Sequence, residues 1–303
     1  MKNITINFKD EEEKRDLVLR EDRAFQTRIE DAVNSLGFNY DVRVVTVAGP
    51  TCSGKTTTAE MLDAALEKSG RRVHTISLDD FFLSRAELLE RAEKTGAEID
   101  FDSPDTLDMT ALSRVIEAAF SGDRILVPRF DFHAGKRNGT VDFGCPRPED
   151  VYLFEGIQAV YPSVTELFAR HSSRSVFLDV GEEATYDHMV FTSNEIRFLR
   201  RLVRDSRFRN AEPEFTFRLW ETVRANEEKN IFPYSDACDV KITTYHAYEI
   251  NMLRDEAIAH LSTIAPDSKW YGTARDLIAR LTPIPAIHSS YLSERSLFHE
   301  FFG

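Results

Sequence analysis

Val42-Arg43-Val44-Val45-Thr46-Val47-Ala48-Gly49-Pro50-Thr51-Cys52-Ser53-Gly54-Lys55-Thr56 is the stretch that decides the fold. The β-branched run up to Ala48 predicts a buried strand, and the residues from Thr56 to Lys68 predict a helix. Between them, Gly49, Gly54, Lys55 and Thr56 stand at every fixed position of the Walker A pattern. That pattern needs glycine where the chain bends to aim successive backbone N–H groups at one anion. A lysine then reaches the outer phosphates, a hydroxyl reaches a divalent cation, and the helix presents its positive end to the charge. The candidate nucleotide contacts are therefore Gly49, Pro50, Thr51, Cys52, Ser53, Gly54, Lys55, Thr56 and Thr57. A phosphate loop by itself implies nucleotide binding, not a reaction.

Outward from the loop, strand and helix signals alternate. Strands are expected at Val73–Leu78, Arg124–Val127, Val151–Phe154, Ser175–Val180 and Val240–Thr243, with a small hairpin around Arg137–Phe143. Helices are expected at Met109–Phe120, Glu183–Asp205 and Phe215–Lys229. This alternation predicts an α/β fold of three α/β/α layers, with a parallel sheet covered on both faces. Before it, Phe25, Ile29, Ala32, Val33 and Leu36 recur at helical spacing and Gly37 offers a stop. After Ala247 the chain reads as helical and then irregular, with Pro283 and Pro285 as breakers. The expected organisation is a helical extension over residues 1–40, a nucleotide-binding domain over 41–262 and a helical or irregular extension over 263–303.

Composition sets the class. The formal net charge of −13 disfavours nucleic acid and anionic membranes, so a polyanionic ligand needs a locally basic pocket. Three scattered cysteines, Cys52, Cys145 and Cys238, suit reduced thiols rather than a disulfide framework or a zinc site. No apolar stretch approaches the ~20 residues that span a bilayer, and the polar, acidic start is unlike a signal peptide. A soluble cytoplasmic protein with a small-molecule substrate is expected, and a homo-oligomer is compatible with the sequence.

Ser77-Leu78-Asp79-Asp80-Phe81-Phe82 ends the second strand of the sheet. In an open parallel sheet the carboxyl ends of neighbouring strands share one crevice, so this Asp pair belongs beside the phosphate loop. A carboxylate there can take the proton of an attacking hydroxyl or help hold Mg²⁺, although an Asp at that position also suits a helix cap. Three more clusters follow: Phe101-Asp102-Ser103-Pro104-Asp105, Pro128-Arg129-Phe130-Asp131-Phe132 and Phe154-Glu155-Gly156-Ile157. Asp108 could simply cap the helix after it.

In order and spacing, these motifs and the later Arg200-Arg201-Leu202-Val203-Arg204-Asp205 resemble the uridine kinase family and the related phosphoribulokinases. The resemblance runs from Val44 to about Thr243, and the ending Ser296–Gly303 resembles that of longer bacterial members. It implies an ATP-dependent kinase with Mg²⁺, acting on a hydroxyl of a small nucleoside-like acceptor. Asp79 would be the base, Phe82 an aromatic beside it, Phe101 and Asp102 the nucleoside and ribose contacts, and Glu155, with Thr56 and Asp79, the Mg²⁺ side. Two positions depart from the family pattern. Phe130 replaces a tyrosine, and Gly135 stands where a histidine is expected, with His133 two residues earlier as the candidate contact. Losing polar groups that read a substrate edge can change selectivity by orders of magnitude. Arg137, with Arg129 and Lys136, is a candidate contact should the acceptor instead be a sugar phosphate or a pantothenate-like compound.

Arg197, Arg200, Arg201 and Arg204 fall at i, i+3, i+4 and i+7, one helical face in an otherwise acidic protein. Such a run is ordinarily a solvated face. Guanidinium forks also match phosphoryl oxygens, and the resemblance makes this segment a lid over the phosphates. Arg201 and Arg204 are the expected catalytic contacts, with Arg209 next to them on the nucleotide. A regulatory protein that binds nucleotide without phosphoryl transfer would need no acceptor base.

Overall fold

The computed structural model describes residues 2–5, 7–37, 41–96, 103–181, 183–186 and 188–303. In chain order the strands are β1 (Lys2–Asn3), β2 (Val44–Ala48), β3 (Arg72–Ser77), β4 (Ile125–Asp131), β5 (Lys136–Gly144), β6 (Asp150–Glu155), β7 (Ser173–Asp179), β8 (Ala184–Tyr186), β9 (Met189–Phe191) and β10 (Val240–Thr243). The helices are α1 (Glu11–Ser35), α2 (Lys55–Lys68), α3 (Arg85–Thr95), α4 (Met109–Ser121), α5 (Pro162–Phe168), α6 (Ser193–Arg209), α7 (Pro213–Asn230), α8 (Glu249–Leu261), α9 (Tyr271–Leu281) and α10 (His299–Phe302).

Five strands form one parallel sheet in the order β10-β7-β2-β6-β3, with β2 at its centre. Side chains alternate across a strand, and the sequence uses that period to build two cores. Val45, Val47, Val151, Leu153, Val176 and Leu178 face one cluster, shared with α1, α2, α6, α8 and α9. Val44, Ala48, Tyr152, Phe154 and Phe177 face the other, shared with α4 and α5. The result is the three-layer α/β/α arrangement. Phe25 and Ile29 of α1, and Leu297, Phe298 and Phe301 near the other end of the chain, are buried in the same cluster as α2. Among the described residues no helix is long and apolar enough to cross a membrane.

Two local expectations are corrected. The helix expected over Glu183–Asp205 begins only at Ser193, because Ala184–Tyr186 and Met189–Phe191 pair as an antiparallel hairpin. The stop lies in the side chains: Thr192 caps the Glu195 N–H, and Glu195 bonds back to the Thr192 N–H at 2.9 Å. This reciprocal box fixes the helix start more firmly than the apolar spacing upstream. The hairpin expected around Arg137–Phe143 forms with its turn earlier, at 132–135, and is longer than expected: β5 is one long strand paired antiparallel with β4. A helix at α3 also forms without having been anticipated, started by a second capping box between Ser84 and Glu87.

The candidate active site

Register places the functional groups together. Glu155 at the end of β6 pairs with Val47 of β2 and Ser77 of β3, so three strands finish level. The phosphate loop leaves β2 there, and the chain leaves β3 through a 3₁₀ turn over Leu78–Phe81. Gly54 adopts φ +86 and a Cβ on it would come within 2.5 Å of Leu297 Cδ1, so only glycine fits. Cys52 also has φ +60 and is buried; burial pushes its thiol pKa up, so it stays protonated. Lys55 folds back so that its Nζ donates to the carbonyls of Gly49 and Pro50, each at 3.1 Å.

The loop is gripped from behind. Arg197 donates to Glu227 at 2.6 and 2.8 Å and to the Thr51 carbonyl at 3.1 Å, while Glu227 accepts the Thr51 N–H at 3.0 Å. Arg200 donates to Glu249 at 2.6 and 3.0 Å and to the Cys52 carbonyl at 3.1 Å. All four side chains are at most 1% exposed. A buried arginine–carboxylate pair with its remaining donors satisfied is specific in geometry and costly to break. Arg197 and Arg200 thus serve the loop's shape.

The other arginines of α6 turn outward. Arg201, Arg204 and Arg209 line a cavity of about 530 Å³ together with Lys55, Thr56 and Asp79. Asp205, itself buried, gathers all three: Arg201 Nε lies at 3.0 Å, Arg204 Nη2 at 2.9 Å and Arg209 Nη1 at 3.4 Å. One carboxylate for three guanidinium groups leaves net positive charge facing the cavity. The single face expected from the spacing is therefore divided, Arg197 and Arg200 inward and Arg201 and Arg204 on the site, where Arg209 joins them.

Asp79 receives Gln158 Nε2 at 2.9 Å. Burial raises its pKa, against the hydrogen bond from Gln158 and the charge of Lys55. Glu155 is raised for the same first reason, with Asp79 and Glu300 adding repulsion. Its neighbour Asp80 has a different task. It is buried, accepts Arg129 Nη1 and the Phe130 N–H at 2.9 Å each, and pins the irregular part of β4 to the turn. Phe82, Phe130 and Phe132 meet edge to face with ring centroids 5.2–6.3 Å apart and line the same cavity.

Other expected contacts lie elsewhere. His133 is exposed on the β4–β5 turn, outside the cavity lining. Arg137 pairs with Asp108 at 2.9 Å and donates to the carbonyls of Phe81 and Phe82. Asp108 also caps α4 by accepting the Ala111 N–H at 2.9 Å. Thr57 opens onto a second cavity, while Thr51, Cys52 and Thr56 line the first. Phe101 and Asp102 lie outside the described residues. Three polar cavity residues were not expected at the site from the sequence: Arg85, Gln158 and Glu300. Gln158 stands three residues after Glu155, close enough that the motif itself pointed to it; the other two carry no local signal.

A phosphate loop on the central strand of a parallel sheet, facing a half-buried carboxylate and an arginine-lined wall, defines a P-loop kinase. Over residues 44–251 the chain matches the Phosphoribulokinase / Uridine kinase family. It belongs to that family. It is 33% identical over 165 residues to a uridine kinase of Mycoplasma genitalium, an alignment covering 54% of this chain and 66% of the relative. It is 28% identical over 201 residues to uridine-cytidine kinase B of Dictyostelium discoideum, covering 66% of this chain and 73% of the relative. A solved structure from Silicibacter sp. TM1040 that carries the name of a fructose transport system kinase superposes with a TM-score of 0.51 at 18% identity. That alignment covers 70% of this chain and 98% of the other, and it shows the shared fold.

Proposed function

We propose that this protein transfers the γ-phosphoryl group of ATP to a hydroxyl of a small, nucleoside-like acceptor. The observation that carries the reading is Asp79, half-buried and oriented by Gln158 in one cavity with Lys55 and the lid arginines. Asp79 takes the proton of the attacking hydroxyl. Lys55 and Arg201, with Arg204 and Arg209 beside it, offset the charge that develops on the transferred group. For this, Lys55 exchanges its loop carbonyls for phosphate oxygens. Phe82, Phe130 and Phe132 give the acceptor an apolar wall. The donor set also suits Mg²⁺: a free-standing Thr56 hydroxyl beside Glu155 and Asp79, two carboxylates whose burial in their present state is unfavourable. The ion, when bound, neutralises charge on the phosphates.

Arg85 favours a second reading of the acceptor, as a sugar phosphate or pantothenate-like compound. It lines the cavity without an ion pair among the described residues, and its side chain lies across Gly135, where a Cβ would come within 3.3 Å of it. Arg129 and Arg137 are taken by Asp80 and Asp108. An anionic end of the acceptor would therefore meet Arg85.

The test is Asp79→Asn. Acceptor-dependent ADP release should fall by about a hundred- to ten-thousandfold, the usual worth of a positioned base, with ATP affinity largely kept. Undiminished turnover would sink the proposal. A panel of neutral nucleosides, sugar phosphates and hydroxy acids distinguishes the two acceptor readings.

A further inference from the structure

Glu300 carries a carboxylate from the C-terminal turn to the phosphate loop. It lines the cavity that holds Lys55, Asp79, Glu155 and Arg204, and with Thr56 it also lines a second cavity of about 560 Å³ beside the first. The turn that bears it is fixed by other residues. Leu297 rests on Gly54, and the Phe302 carbonyl accepts Arg207 Nη1 at 2.8 Å. Upstream, the buried Asp22 of α1 accepts the Tyr248 hydroxyl at 2.6 Å, the Ser293 N–H and hydroxyl at 3.1 and 2.6 Å, and the Ser296 hydroxyl at 3.1 Å. The Glu300 carboxylate shares in none of this: its Oε2 is buried and has no hydrogen-bond partner among the described residues. Its charge acts favourably on Arg204 and unfavourably on Glu155. Buried acceptors are paired as a rule, and one that the fold leaves open calls for a donor from elsewhere.

We infer that Glu300 is a positioning residue for the divalent cation of the phosphate donor, accepting hydrogen bonds from water on that ion rather than binding the ion itself. A carboxylate only accepts hydrogen bonds, and phosphate oxygens give it no donor and repel it. Water on Mg²⁺ does donate, and Mg²⁺ keeps several waters while taking only one or two carboxylates. The residues present fit that habit. Among the described residues no three His, Cys, Asp or Glu side chains converge to hold an ion, so Thr56, Glu155 and Asp79 leave part of its shell to water and to phosphate oxygens. Glu300, which shares both cavities with Thr56, is placed to accept from that water. A cation nearby also offsets the repulsion between Glu300 and Glu155. Outer partners of this kind hold a metal's ligands in place, and losing one typically lowers metal affinity about ten- to a hundredfold. Glu300 lies outside residues 44–251, the span of the family match, so this role brings the C-terminal segment into the site. The inference rests on the proposed reading of a phosphate loop that holds a Mg²⁺-bound donor, and it is independent of the acceptor.

Binding of inorganic tripolyphosphate to the full chain tests this, measured by calorimetry with excess Mg²⁺ and again with a chelator in its place. The readout is the ratio of the two affinities. In Glu300→Gln, which keeps the shape and removes the charge, the ratio should fall about tenfold or more. The fall should come from weaker binding with Mg²⁺, while binding without it stays the same or tightens. A purely structural Glu300, or one that only opposes the phosphates, would move both affinities together, so an unchanged ratio overturns the inference. Glu300→Asp keeps the charge and should retain the larger part of the ratio; a tenfold fall there too counts against the role. Wild-type binding that is itself indifferent to Mg²⁺ would remove the metal reading beneath, and this inference with it.

Discussion

Arg200 and Arg204 sit one turn apart on α6, yet their replacement by methionine should have opposite signatures. Arg200 is fully buried and makes five hydrogen bonds: two to Glu249, two to Thr244 and one to the Cys52 carbonyl. Arg200→Met leaves Glu249 charged and buried without its arginine, a loss of about 3–5 kcal/mol. For a chain of this size, 1 kcal/mol corresponds to roughly 2–4 °C, so the melting temperature should drop by about 6–20 °C. The substitution also frees the Cys52 carbonyl and so loosens the loop. Among the described residues Arg204 bonds only to Asp205, which keeps Arg201 and Arg209 as partners after Arg204→Met. Its loss should cost about 1 kcal/mol or less of stability but lower turnover by roughly 10³-fold or more, as for a lost transition-state cation. Thermal melts and acceptor-dependent ADP release on both variants, with Glu249→Gln added to Arg200→Met, complete the comparison. The double variant should regain part of the lost stability, because the unpaired charge is gone. Equal destabilisation by Arg200→Met and Arg204→Met would refute the division of the helix into a structural and a functional side.

Burial raises the pKa of Asp79 in the folded state, so the folded chain binds its proton more readily than the unfolded one. Stability from this group is therefore present at low pH and is lost as pH rises through the interval between the two values. Asp79→Asn should accordingly melt above the wild type at neutral pH despite its inactivity. In the wild type, kcat/KM should fall as pH drops through a value above the ordinary carboxylate range of about 4, and a profile breaking at the ordinary value would contradict the burial argument. Gln158→Leu removes the hydrogen bond that orients Asp79; kcat should fall by about tenfold or more, with ATP affinity preserved. Gly54→Ala forces a side chain into a left-handed backbone and against Leu297, and ATP binding measured by calorimetry should be abolished or reduced by orders of magnitude.

The phosphate loop, its strand and its helix were legible because they are local: glycine at the bends, a β-branched run before, a helix after. Asp79 and Glu155 could also be placed, since strand ends in a parallel sheet converge on a common crevice, whereas Arg201, Arg204 and Arg209 were expected there from the family resemblance. What escaped the reading depends on partners distant in sequence. Arg197 and Arg200 share helical spacing with Arg201, and Glu227 and Glu249, with the Thr51 and Cys52 carbonyls, turn them inward. Arg137 looked like a site cation until Asp108 was found beside it. The helix expected from Glu183 starts only at Ser193, where the Thr192–Glu195 box, a signal present in the sequence itself, caps it. Arg85 and Glu300 reach the cavity through tertiary packing alone.

The seat of Leu297 on Gly54 bears on how the protein comes into being. Most of the chain separates these two residues, and closing so long a loop precedes any reward from the contact. During synthesis the sheet and its loop can form early, with the glycine facing open solvent. The nucleotide pocket acquires its covering only when the residues around Leu297 have emerged and docked beside α1 and α2. Competence to bind the donor should thus arrive late, as a final docking event on an already folded body.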